Sequence, residues 1–179
     1  MKRILSITLS LLVTATLFSQ TSYYPDSVGT KVFYEDGYAY QMSVTERVII
    51  NIYNQDCKWI DVPKIYKPTG DFPDEYTPDL ETDEMKRQEK LLYSILEESY
   101  SNEEKEKIKE FGRGGECTIG MFINPQTGKV DDVRFSFYRL SYYMNIPVSK
   151  FREVELKIKE RLKHTVTDYG KNLNYVYDL

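Results

Sequence analysis

The stretch CTIGMFINPQTGKVDDVRFSF, residues 117–137, decides how this chain is built. Cys117, Ile119, Met121 and Ile123 alternate with Thr118, Gly120 and Phe122, and further on Val133, Phe135 and Phe137 alternate with Arg134 and Ser136. A period of two sends alternate side chains to opposite sheet faces, so one face of this pair is core. Between the runs, Asn124-Pro125-Gln126-Thr127-Gly128 joins a fixed proline φ to a glycine free to take positive φ, the chemistry of a hairpin loop. Val130 and Val133 stand three apart and break the alternation. A bulge at Asp131-Asp132 restores it.

Downstream, PVSKFREVELKIKERLK at residues 147–163 places Val148, Phe151, Val154, Ile158 and Leu162 on one stripe at helical spacing, with the charged residues largely outside it. This helix is expected to pack on the hairpin. Leu173, Tyr175, Tyr177 and Leu179 then alternate with Asn174, Val176 and Asp178 as a last strand. The C-terminal part therefore reads as strand, strand, helix, strand.

Upstream, Ser101-Asn102-Glu103-Glu104 is a capping box that starts a short helix with Ile108 and Phe111 on its apolar side, ended by Gly112, Gly114 and Gly115. Before it, Met85, Leu92, Ile95, Leu96 and Ser99 recur near the helical period. Residues 63–84 carry Pro63, Pro68, Pro73 and Pro78 among many acids and read as a linker or long surface loop. Asp71, Asp74, Asp79, Glu81 and Asp83 lack the ligand spacing and internal glycine of a calcium loop. Nearer the start, Asp36-Gly37 is a tight-turn signal pairing residues 31–35 with residues 38–44. Val48, Ile50 and Ile52, a turn at Asn54-Gln55-Asp56, and residues 57–62 read as a second hairpin.

The first residues, MKRILSITLSLLVTATLFSQ, set Lys2 and Arg3 ahead of an apolar run that ends at Phe18, with small Ser19 before Gln20. That is the layout of a secretory signal peptide, and the run is short for a membrane span. Cleavage before Gln20 leaves 22 basic against 28 acidic residues, a net charge of −6. Such a balance disfavours nucleic acid and anionic membrane surfaces as partners. The mature chain is expected to be exported, periplasmic or secreted, with no membrane span.

The unit at residues 117–179 resembles the TonB C-terminal domain, whose alternating strand, glycine turn and valine-bearing return strand are matched by Phe122, Ile123, Gly128, Val130 and Val133. Past its helix the family often carries a short extended stretch, a glycine turn and the last strand, matched loosely by residues 165–167, Gly170 and residues 172–179. The capping box followed by such a unit is also similar to small uncharacterised secreted proteins of Bacteroides-type bacteria. The resemblance implies a ββαβ fold and a capacity for strand-mediated contacts with another protein. TonB proteins that transmit energy keep an uncleaved anchor and a long proline-rich spacer, whereas this chain has a cleavable-type leader and four prolines, so energy transduction is not implied.

Two cysteines, Cys57 and Cys117, leave two readings open. In an oxidising compartment they can form a disulfide, worth about 4 kcal/mol by loop closure; otherwise they are separate buried thiols. His164 is the one histidine, at the end of a helix, so a Cys/His hydrolase would need Cys57 or Cys117 beside it. No nucleophile elbow, phosphate loop or dinucleotide fingerprint is present. The adjacent acids Asp131 with Asp132 and Glu97 with Glu98 read as solvated rather than as a glycosidase pair. Tyr23, Tyr24, Tyr34, Tyr38, Tyr40, Tyr53, Tyr66 and Tyr76 cluster before the helices, where they suit half-buried strands or could stack on sugars.

The expected fold is α+β: a signal peptide at 1–19, antiparallel hairpins at 20–68, an acidic linker and helices at 69–112, and the ββαβ unit at 113–179. The expected function is non-enzymatic protein binding, with no cofactor or metal, by addition of a partner strand along Leu173, Tyr175, Val176, Tyr177 and Leu179. A carbohydrate-binding module built on surface tyrosines is the second reading and a Cys/His hydrolase the third.

Overall fold

A computed structural model describes residues 24, 29–45, 48–110 and 116–179. The leader at 1–19 and the glycine stop at 112–115 lie outside the described residues. The fold is α+β, a six-stranded antiparallel sheet with helices packed on one face. Strands β1 (Thr30–Glu35) and β2 (Tyr38–Thr45) form the expected hairpin. Its turn residues Asp36 and Gly37 take φ of 50° and 80°. Both lie in the left-handed region, as the tight hairpin turn favoured by strand twist requires.

Strand β3 (Ile49–Asn54) pairs with β2 on one side and with β5 (Val130–Tyr138) on the other. Strand β4 (Cys117–Ile123) lies outside β5, and β6 (Val176–Asp178) lies outside β4. The hairpins and the ββαβ unit thus share one sheet in the order β1-β2-β3-β5-β4-β6. The predicted bulge is present: Ile123 faces Val130 while Phe122 faces Asp132, which leaves Asp131 unmatched.

Helix α1 (Thr82–Ser99), helix α2 (Asn102–Glu110) and helix α3 (Val148–Arg161) form where the helical periodicity places them. The capping box closes reciprocally, with the Glu104 amide donating to Ser101 Oγ at 3.2 Å and the Ser101 amide donating to Glu104 Oε2 at 2.7 Å. Val148, Phe151, Val154, Ile158 and Leu162 are all buried in one core with Ile50, Ile52, Ile119, Met121 and Phe135. Tyr24 joins it, its ring edge-on to Phe33 at 5.2 Å.

Two local expectations change. Residues 57–62 are turns, not a strand, because β2 and β5 already occupy both sides of β3. Instead they fold over the opposite sheet face, where Cys57, Trp59 and Ile60 pack with Tyr53, Phe122 and Tyr175. The last strand is also shorter than its alternation suggests. Asn174 ties residues 63–65 to the chain through bonds to the Ile65 amide and the Pro63 carbonyl, and Tyr66 bridges Leu173. Pairing with β4 therefore begins only at Val176.

The proline-bearing loop is pinned as well as exposed. Leu80 is buried and bridges Val166, and Tyr66 stacks on Tyr169 at 5.1 Å.

Candidate functional site

The site is built on an incomplete sheet edge. Strand β6 covers β4 only at Met121, Phe122 and Ile123. In an antiparallel ladder successive residues aim their backbone groups at alternate neighbours. The Asn124 amide donates to Lys129 and its carbonyl accepts from Gly128, so Asn124 faces the β5 side. Alternation then turns the backbones of Ile123 and Met121 toward β6, and those of Ile119 and Cys117 outward in the same lane. Among the described residues no backbone partner meets Ile119 or Cys117 on that side.

Helix α1 runs beside this open edge, and the space between them is a groove of about 500 Å³. Met85, Leu92, Tyr93 and Leu96 form its helix wall, while Ile119 and Met121 line the strand side. Tyr93 is 61% exposed on one rim, and Leu179 is 73% exposed at the end of the β6 lane.

Polar groups gather at the end of the groove where β6 stops. His164 is buried, and neither ring nitrogen has a hydrogen-bond partner. Its Nδ1 lies 3.9 Å from Asp178 Oδ2. Burial lowers the His164 pKa from its ordinary value, with Asp178 and Glu84 pulling the other way. Burial likewise raises Asp178, opposed by His164. Gln88, buried on α1, holds this corner together: its amide donates to Glu84 at 2.7 Å and its oxygen accepts from the Lys163 amide at 3.2 Å. Sequence reasoning places His164 at a partly exposed helix end. The ring is enclosed because α1, distant in sequence, packs against the chain after α3.

The predicted binding strand divides between two faces. Leu173 and Val176 are fully buried in the main core, whereas Tyr175 and Tyr177 pack on the opposite face with Phe122. Tyr175 donates to the Val62 carbonyl at 2.8 Å.

The expected Cys57 to Cys117 bridge is absent, and both thiols are free. Cys117 stands level with Ile50 through Phe137, while Cys57 lies just past the far end of β3. The rise from Ile50 to Asn54 alone is about 13 Å, and a disulfide needs Cα atoms within roughly 7 Å. The two also pack on opposite faces of the sheet. Cys117 and His164 line the same groove, yet Asp178, the neighbour of His164, pairs with Met121 at the other end of β4. Burial pushes the Cys57 thiol up to about 11 and the Cys117 thiol up to about 12. Neither thiol therefore carries the low pKa that marks an activated nucleophile. Among the described residues no group of three or more His, Cys, Asp or Glu could hold a metal ion. The tyrosine cluster is likewise dispersed, with Tyr24, Tyr40 and Tyr53 buried and Tyr34 and Tyr76 exposed on separate elements.

A second polar cluster lies under α3. Tyr40 donates to the buried Glu155, which also meets Lys159 at 2.9 Å and Arg152 at 3.3 Å. Lys159 continues to Asp132 at 3.4 Å. Two cations and two carboxylates balance, which suits a structural role.

An α+β chain with one open-edged antiparallel sheet and a helix flanking that edge is the class this architecture defines. The chain belongs to the family described as domain of unknown function DUF5043, whose model matches residues 20–178. It is similar to the crystal structure of a DUF5043 family protein from Bacteroides uniformis ATCC 8492. The two share 28% identity over 89% of this chain and 92% of that one, with a TM-score of 0.75. No curated protein matches. Among the described residues no helix is long and apolar enough to cross a membrane.

Proposed function

We propose that this chain is a non-enzymatic, exported protein-binding module that takes an extended segment of its partner onto the open edge of β4. The observation that carries the reading is the lane beside β4, half filled by β6 and empty of backbone partners at Ile119 and Cys117 among the described residues. Free amides and carbonyls on a sheet edge are satisfied by an added strand, and side-chain pockets beside the edge supply selectivity. The chain order β4, β5, α3, β6 is ββαβ, and the proposed likeness to the TonB C-terminal domain rests on that order and the residues of its strand–turn–strand pattern. Export is supported by the leader pattern of residues 1–19, which ends where the family match begins at residue 20.

The test replaces Thr118, exposed on β4, with a photocrosslinking phenylalanine in the native cell. Ile119→Pro deletes the outward donor, because proline is tolerated where its missing N–H faces away from the ladder. It also shortens a side chain buried in the core, and Ile119→Ala, which keeps the donor, controls for that loss. Ile119→Val keeps the donor too. Thermal melts first establish that all three variants fold. The reading expects a discrete crosslinked protein with wild type, Ile119→Val and Ile119→Ala that is lost with Ile119→Pro. Undiminished capture by folded Ile119→Pro overturns it.

A further inference from the structure

The groove beside the open edge has its own charge, and this constrains what enters. Along the existing β6 lane, Val176 faces Ile123 and Asp178 faces Met121. A strand continuing in that lane places its next facing residue opposite Ile119, about 7 Å beyond Asp178. Paired residues share a sheet face. That side chain therefore points, like Ile119 and Asp178, into the groove under α1.

We infer that the accepted strand carries a lysine or arginine opposite Ile119, received by Asp178 and Glu89 beside His164; this rests on the strand-addition reading of the edge. Glu89 and Asp178 face the groove, with Lys86 as the one ammonium lining it among the described residues. The buried His164 ring, its Nδ1 3.9 Å from Asp178 Oδ2 and both nitrogens without a hydrogen-bond partner, backs the same corner. The imidazole itself is enclosed and takes no partner from the groove, so an arriving ammonium or guanidinium gives its donors to the two carboxylates, in the corner that His164 backs. A carboxylate in the same place would meet two others. An apolar side chain would take water from both carboxylates and give them no counter-charge.

The test uses short capped peptides of alternating threonine and valine that differ only in a lysine, glutamate or glutamine at the end that meets β6. Each is titrated into the full chain, with affinity and amide exchange at Cys117 and Ile119 as readouts. The lysine peptide is expected to slow exchange at both amides and to bind about tenfold tighter than the glutamate peptide. Glu89→Gln with Asp178→Asn should bring the peptides to near parity. Lys86→Ala, which leaves β6 untouched, should widen the preference. Equal binding of all peptides with the same amide protection overturns the cation and leaves strand addition standing. Protection by none of them overturns both. Protection that instead grows with protein concentration, together with a dimer in sedimentation, assigns the edge to a second copy of this chain and also overturns the inference.

Discussion

The tip of the Tyr177 phenol lies against Gly120, so close that a Cβ at residue 120 would stand 2.1 Å from the Tyr177 oxygen and 2.8 Å from its ring. The same phenol accepts a hydrogen bond from Arg134, whose guanidinium sits 5.4 Å from the ring centroid. Glycine on β4 is thus what lets β6 fold its aromatic side chain over the sheet. Gly120→Ala should force that ring away and destabilise the protein by about 1–3 kcal/mol. Urea melts measure the loss. Gly120→Ala combined with Tyr177→Ala should fall short of the summed single effects, since the two residues are in contact. Strict additivity would show that the clash is absorbed elsewhere.

Legibility in the sequence divides along a physical line. The β4–β5 hairpin, its bulge at Asp131 and the stripe of α3 are legible because the signals are local: side-chain period, proline and glycine positions, a capping box. Residues 57–62 mislead because a short apolar run looks like a strand until it is known that β2 and β5 flank β3. The open edge is half legible. Alternation alone puts the last strand at an edge, but that β4 extends past it depends on Asn174 and Leu173 being held by residues 63–66. His164 and Asp178 become neighbours because the His164 amide donates to Gly128 in the β4–β5 hairpin loop while Asp178 pairs with Met121 on β4, and no local pattern signals either long-range pairing.

The Tyr40 to Glu155 contact predicts an asymmetry between two variants. Tyr40→Phe removes one hydrogen bond to a charged group and should cost about 1.5–3 kcal/mol. Glu155→Ala instead strands Arg152 and Lys159 without their shared carboxylate and should cost about 3–5 kcal/mol. Thermal or urea unfolding ranks them. A Glu155→Ala variant no worse than Tyr40→Phe would mean that Asp132 and solvent already hold the two cations.

The free thiols predict both a labelling result and a pH dependence. Denatured, unreduced protein should take an alkylating label at Cys57 and at Cys117, and a linked peptide in a non-reducing map would contradict the geometry. Both thiols keep their protons in the folded state to pH values well above the ordinary 9.0, at about 11 and about 12. Unfolded thiols ionise first, so the unfolded state holds fewer protons above pH 9 and stability falls as pH rises. Each thiol contributes at most about 1.4 kcal/mol per pH unit to that fall. Cys57→Ala with Cys117→Ala should flatten the decline in melting temperature just above pH 9, before tyrosines begin to ionise.

His164 predicts a separation between stability and binding. Its folded-state pKa is lowered from 6.5 by burial, against the pull of Asp178 and Glu84. With the folded value depressed, the unfolded state binds the proton first. Stability is therefore complete above about pH 6.5 and declines as pH falls below it. His164→Leu should remove this acid-side decline. It should also leave stability at neutral pH unchanged or raised, because leucine fills the site without two unpaired ring nitrogens. Melts across the mildly acidic range decide the first point and melts at neutral pH the second. A marked loss of stability at neutral pH would mean that the ring's shape, or a bond it makes in solution, holds α1 against the chain after α3. Retained stability with loss of the lysine-peptide preference would instead mark His164 as a residue kept for what the groove receives.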